Sequence, residues 1–443
     1  MFSNKDLRKL IIPLVIEQLL AVTIGMADTV MVSSCGEAAV SGISLVDSIN
    51  FLLITLFSSL ATGGAVIASQ YIGRGDHKSA SLAAKQLFYA SLALSAVLGV
   101  IAVFFRKPVL NMVFGSIEAD VMAHAQIYFL LSAISYPFLA VYNAGAALFR
   151  SMGDSRTTML ISILMNTINI VGNAILIYGF QMAAAGAATA SLVSRAVGAI
   201  IITVLLLNPR RIIFYDKLHK PEIHLSMLKS ILQIGVPNGL ENSIFQIGKI
   251  LVASIVSGFG TISITANAVA GNLASLQVIP GMALGMAMIT VVGQCIGAKD
   301  YEAVKKYTKK LMLITYGVVW AMTLLMLLFS KQLLSFYSLS EETTTMTMEV
   351  FIVHGICAVI VWPLAFALPN ALRAANDVRF TMIVSLLSMW IFRIGFSYIL
   401  AIYFNMGILG TWIAMFIDWF CRGACFVIRF ARGKWKNISF IDN

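Results

Sequence analysis

Charge is what this 443-residue sequence has least of: 12% of its residues are Asp, Glu, Lys or Arg, against 59% hydrophobic. A soluble domain carries about a quarter charged residues, so the composition excludes an ordinary water-exposed fold. Cysteine is scarce and scattered, at Cys35, Cys295, Cys357, Cys421 and Cys425. Cys421 and Cys425 share a helix face, a weak match to a metal or redox pair; small packing residues are the plainer reading. No small-residue cleavage site follows the first apolar run, which is itself long enough to span, so no cleavable leader is expected.

The sequence is instead rich in long apolar runs. Twelve can be placed, at about 11–33, 41–70, 86–105, 123–149, 158–178, 185–208, 231–256, 263–293, 311–329, 349–372, 380–404 and 408–428. The basic residues orient them: 24 of the 31 lie in the N-terminus, every second loop and the C-terminus, and only Arg106, Lys107 and Lys331 lie in the opposite loops. Both termini are therefore expected on the cytoplasmic side. The formal net charge of +11 follows from this topology, and no nucleic-acid partner is expected.

The chain repeats itself. At a spacing of 224 residues Pro13 matches Pro237, Glu17 matches Glu241, and QYIGRGD from Gln70 matches QCIGAKD from Gln294. Gly186 meets Gly410 at the same spacing, and RSMGD from Arg150 meets RAAND from Arg373 one residue closer. The longest polar connection, 209–230, divides the halves, giving an N-lobe 1–208, a linker 209–230 on the cytoplasmic side and a C-lobe 231–443. An even number of spans per half makes the repeats parallel. The expected fold is an all-α integral membrane protein, with twelve transmembrane helices in two parallel-repeat six-helix lobes around a central cavity. That is transporter architecture.

Ionisable residues inside the spans are the functional candidates, because each costs at least about 2.5–3.5 kcal/mol at membrane depth. The first span holds Glu17 and Asp28 on one side, roughly 16 Å apart along the axis. Asp28 has no counterpart in the second half, where Val252 takes its place. A carboxylate there can capture a proton or cation; the plain alternative is one tied up in a structural hydrogen bond or by an arginine. Asn169 and Asn173 lie four apart on one face of the fifth helix, and with Asp28 and a hydroxyl they would form the oxygen-only shell that hard cations take. Glu241 and Lys249 on the seventh helix are candidate cavity charges with Glu17, or a charge balance within the bundle. Arg422 is expected to pair with Asp418, and Arg195 and Arg393 with partners inside the bundle. Asp47 reads as a helix N-terminal carboxylate, and His354 as structural or as a proton relay. ATGGA (61–65) and PGMALGMAM (280–288) read as close-packing surfaces. Met282, Met286 and Met288 are either an adaptable pocket wall or ordinary core and lipid-facing residues. All six tryptophans lie in the second half, some as interfacial anchors.

The order of these features resembles the multidrug and toxic compound extrusion (MATE) family: a basic N-terminus, a proline helix with MADTVMV, QYIGRGD, RSMGDSR and NIVGNAILIYG. The resemblance covers essentially the whole chain. It implies a secondary active efflux transporter, not an enzyme, that exchanges H+ or Na+ for organic, often cationic compounds. By the same resemblance the cation site is Asp28, Asn169, Asn173 and Ser191. Asn173 departs from members that carry a second carboxylate there, which shifts the balance from sodium towards protonation of Asp28. A second-half cation site is not expected: Glu241 falls one turn early, Trp362 occupies the place of an aspartate, and Lys249 repels cations. No cofactor beyond the coupling ion is expected. Partners would be small organic substrates and membrane lipid, acting on a monomer in the cell (inner or plasma) membrane. The alternatives are a flippase of lipid-linked precursors, against which few intramembrane cations speak, and a membrane transferase, which needs clustered carboxylates or a catalytic loop. A passive channel would need a filter loop or charged ring.

Overall fold

The computed structural model describes residues 2–440 apart from 116, 117, 217, 221 and 338, and leaves out the side chains of 24, 26, 27 and 29. The described residues are overwhelmingly helical and form no strand. Twelve long helices follow one another: α1 (Asn4–Ser33), α2 (Glu37–Arg74), α3 (His77–Phe114), α4 (Ala119–Ser151), α5 (Ser155–Gly179), α6 (Ala183–Leu206), α7 (Leu225–Ser257), α8 (Thr261–Gly297), α9 (Tyr301–Leu328), α10 (Glu341–Ala374), α11 (Val378–Tyr403) and α12 (Gly407–Ala431). Eleven of them, α2 to α12, have the length and hydropathy of a membrane span among the described residues. Most helices outrun their apolar cores, because a helix continues through its polar ends until a turn residue stops it.

Those turns explain the repeated motifs. In QYIGRGD the helix ends on Gly75 at φ 79°, and Asp76 caps the next helix by accepting the Ser79 N–H at 3.0 Å. Its hydrogen bonds from Ser79 hold the Asp76 carboxyl below its ordinary range. In RSMGD the same roles fall to Gly153, at φ 81°, and to Asp154, which accepts the Thr157 N–H at 3.1 Å. The second half keeps the conformation without the glycine: Lys299 and Asn376 take φ 57° and 67°. Asp300 again caps, accepting the Ala303 N–H at 2.9 Å, whereas Asp377 binds Arg429 instead. The left-handed region disfavours a residue with a Cβ, asparagine least.

The repeat extends to backbone irregularities. Near the end of α5, Phe180 N–H bonds to Ile175 O and Met182 N–H to Leu176 O, closing a π-turn. At the end of α11, Phe404 bonds to Ile399 and Met406 to Leu400 in the same pattern. Gly186 and Gly410 then start α6 and α12 against those turns, and a Cβ on Gly410 would lie 2.7 Å from the Ala401 nitrogen. A further π stretch, Met389–Gly395, occurs in α11 but not in α5. A π-bulge accommodates one extra residue, which accounts for the repeat spacing growing by one between RAAND and the end of α11.

The chain divides into two compact units, Met1–Gly239 and Leu240–Asn443. The first includes the linker and the first half of α7. Gln86 Nε2 donates to Glu222 O at 2.6 Å, Tyr89 donates to Leu218 O at 2.7 Å, and a Cβ on Gly63 would meet Ile231 O at 2.5 Å. ATGGA is thus a close-packing surface for the start of α7. Within this unit α2 packs on α4, α4 on α6 and α1 on α5.

The second unit is organised around α8, buried over most of its length between α9, α10 and α12. Its core is aromatic: Trp362, Trp412 and Trp419 are buried with Phe416, and Phe366 packs against them. The tryptophan excess is therefore largely core packing, with Trp320 and Trp390 exposed. His354 lies inside that core, 2% exposed, with Nδ1 2.9 Å from Gln277 Oε1 and Trp412 and Trp419 edge-on. Its surroundings are those of a packed structural side chain. Met282 is exposed and Met288 fully buried, so the three methionines form no common wall.

Candidate functional site

α1 and α5 pack side by side and α6 returns against α5, which brings together the four residues named from sequence. Asn173 Nδ2 donates to Asp28 Oδ1 and lies 3.4 Å from Asn169 Oδ1, while Asn169 Nδ2 donates to Ser191 Oγ at 3.0 Å. Asp28, Asn173, Asn169 and Ser191 thus form one continuous chain across three helices. The two asparagines are buried, and Asn173 Oδ1 has no hydrogen-bond partner among the described residues. A buried acceptor left bare costs about 1–3 kcal/mol, so this oxygen marks a place where a cation or a donated proton would be stabilised.

Beside this chain lies a cavity of about 160 Å³, lined among others by Asp28, Asp47, Tyr128, Ser191 and Arg195. Drug-sized ligands need about 300–1,000 Å³; this space suits an ion, a few waters or one polar group. Three of these residues were not placed in a site by sequence. Asp47 is not at a helix start: α2 begins at Glu37, so Asp47 sits about three turns in. It accepts Tyr128 OH at 3.0 Å and Asn50 Nδ2 at 3.3 Å, and Asn50 in turn accepts Tyr136 OH at 2.8 Å. Arg195 donates to Ser135 Oγ at 2.6 Å and stands within electrostatic range of both carboxylates without an ion pair to either. The signal available in the sequence was the position of Asp47 and Arg195 inside apolar runs; what hid it was a span start set four residues late. With Asp28 and Asp47 ionised and Arg195 charged, the cavity wall carries one net negative charge.

Glu17 and Glu241, expected as cavity charges, are buried at 7% and 6% exposure in ion pairs. Arg150 Nη1 lies 3.1 Å from Glu17 Oε1, and Arg373 Nη2 lies 2.7 Å from Glu241 Oε1. Each arginine closes the fourth helix of its half, so RSMGD and RAAND each supply both a turn and the partner of the repeated glutamate. Thr158 Oγ1 donates to the second oxygen of Glu17 at 2.7 Å, whereas Glu241 Oε2 is buried without a partner. The Arg422–Asp418 pair forms at 3.1 Å. Lys249 is exposed and forms neither an ion pair nor a hydrogen bond among the described residues.

Two copies of one pattern, each with a proline helix and an arginine-closed fourth helix, are also what the MatE family model matches, at residues 13–175 and 237–399. This chain belongs to the MatE family. It is 26% identical to the probable multidrug resistance protein NorM of Thermotoga maritima, over 98% of this chain and 93% of that protein. It is 29% identical to the NorM of Bacillus cereus, over 95% and 93%. Among solved structures, it superposes on an outward-facing multidrug resistance MATE transporter of the MOP superfamily with a TM-score of 0.89 at 21% identity, covering 98% and 97%. The chain is therefore a multi-pass membrane transporter of this family and not an enzyme.

Proposed function

We propose that this MatE transporter is a multidrug efflux pump of the cell membrane, driven by exchange of one cation for an organic compound, with Asp28 as the coupling carboxylate. The observation that carries this reading is the Asp28–Asn173–Asn169–Ser191 chain at the wall of a small cavity, with Asn173 Oδ1 left bare. The relatives' multidrug resistance names support the substrate class. One net negative charge on the wall suits one monovalent cation. We favour H+ over Na+, because the second side chain beside Asp28 is an amide that presents its N–H. Ionised Asp28 accepts that N–H. Once protonated, Asp28 donates instead, and the bare Oδ1 becomes its acceptor when the amide turns over. Proton binding at Asp28 thereby rewrites the contact between α1 and α5, which is how an ion alters the packing of the helix that carries it.

The test is efflux of a dye panel from reconstituted vesicles under separately imposed proton and sodium gradients. Proton-driven efflux in the wild type that is lost in Asp28→Asn is the expected result. Equal transport by Asp28→Asn under every gradient would remove Asp28 from coupling.

A further inference from the structure

The second unit holds an unexplained excess of positive charge within its spans. Lys249 on α7 has no ion pair among the described residues. Arg393 on α11 and Arg422 on α12 share one carboxylate, Asp418: Arg422 Nη2 is bonded to it at 3.1 Å, and Arg393 Nη1 lies 3.9 Å away, beyond hydrogen-bond distance. The other carboxylate pairs of this unit, Glu241–Arg373 and Asp377–Arg429, are internally balanced. Three cations against one anion leave two positive charges in excess.

Arg393 is the decisive member. Its side chain is about nine-tenths buried, and its Nε is enclosed without a partner. A guanidinium offers five donors, and this one makes no hydrogen bond among the described residues. It also stands over the ring of Phe245, 5.3 Å from the guanidinium carbon. Phe245 is one helical turn below Lys249 on the same face of α7, and Lys249 is within electrostatic range of Arg393. Like charges held together and underbonded at membrane depth are the arrangement that binding an anion would stabilise.

The internal repeat shows where this cluster sits. In the register that pairs Glu17 with Glu241, Lys249 stands at Gly25 and Val252 at Asp28; Ser397, past the π stretch of α11, stands at Asn173, and Arg393, inside that stretch, falls between Asn169 and Ile170. Gly25 lines the cavity of the first unit. The place that holds a carboxylate and amides in one half therefore holds two cations and no carboxylate in the other.

We propose that Lys249 and Arg393 form a docking point for an anionic group, a carboxylate, on the compound being transported, so that the pump takes zwitterionic or anionic substrates and not cations alone. This rests on the efflux reading for its substrate but not on Asp28 for its test. The experiment measures equilibrium binding of rhodamine B, which bears a free carboxylate, and of its methyl ester to the purified full-length protein in a neutral detergent, by fluorescence anisotropy without any gradient. The wild type is expected to bind rhodamine B more tightly than the ester. Lys249→Met is expected to weaken rhodamine B by about tenfold, the scale of one charge-assisted hydrogen bond, with the ester changed less than about twofold. Lys249→Arg is expected to keep the preference. Val252→Asp, which sets a tethered carboxylate one turn from Lys249, is expected to abolish it. A wild type that binds the ester as well as rhodamine B, or that binds no rhodamine B, overturns the proposal. So does a Lys249→Met protein that loses both dyes equally. Loss of gradient-driven efflux with the dye preference intact would count against the coupling reading alone.

Discussion

The two halves of this transporter keep one frame and fill it with opposite chemistry. In both, a glutamate on the first helix pairs with the arginine that closes the fourth, and a π-turn ends the fifth. In the first, the space beside that frame is walled by Asp28, Asp47 and Ser191, with two buried asparagines bonded behind Asp28 and Ser191. In the second, Val252 takes the place of Asp28 with Lys249 one turn before it and Arg393 on α11, and the adjoining core is packed with Trp362, Trp412 and Trp419. A buried ion pair tolerates little change once its partner is fixed, because removing one member strands the other charge. The frame is therefore held in both copies, while the positions facing open space are free to diverge.

That comparison can be broken most directly at Asp28. Replacing it with Asn should reduce proton-driven efflux by about a hundredfold or more, while Val252→Asn at the equivalent position leaves the driving force untouched; vesicle efflux under a proton gradient measures both. The hundredfold scale is that of losing the carboxylate proposed to carry the proton.

The next largest effect is on stability. Glu17→Gln leaves Arg150 half-paired in a mostly buried site and should cost about 2–4 kcal/mol, read as a fall in the thermal unfolding midpoint. Glu241→Gln should cost less, because Glu241 has one unsatisfied oxygen already and lacks the Thr158 equivalent: Thr381 Oγ1 bonds to Val378 O. Equal losses in the two variants would show that the Thr158 contact adds nothing.

Asn173→Asp sharpens the ion assignment. A second carboxylate beside Asp28 raises the charge and oxygen count of the shell, so sodium should come to stimulate efflux, with an apparent affinity about tenfold above that of the wild type. No sodium response in that variant would mean that Asn173 is not part of the ion's shell.

The smallest effect concerns the turns. Lys299→Gly relieves a left-handed residue where Gly75 stands in the first half, and should stabilise by about 1 kcal/mol. Asn376→Gly should gain only a few tenths, since asparagine tolerates that conformation. Thermal unfolding of the two variants side by side checks the order.

The sequence by itself determined the spans, the duplication and which polar side chains on α1, α5 and α6 stand inside apolar runs, because each rests on a local signal. Hydropathy marks a helix that must satisfy its own backbone in lipid, and a charge inside an apolar run is conspicuous wherever it folds. The partners of those charges were not legible. Glu17 finds Arg150 and Asp47 finds Tyr128 across 133 and 81 residues, and nothing local distinguishes an arginine that ends a helix at a membrane face from one that ends it on a glutamate. The turn role of RSMGD could be read from its glycine and aspartate, but its arginine's role could not. That Asp28 lies in an apolar run of the first half and Lys249 in one of the second was legible in the sequence. That Arg393 makes no hydrogen bond among the described residues was decided by tertiary structure alone, because a donor is satisfied or bare only relative to what packing brings within about 3 Å of it.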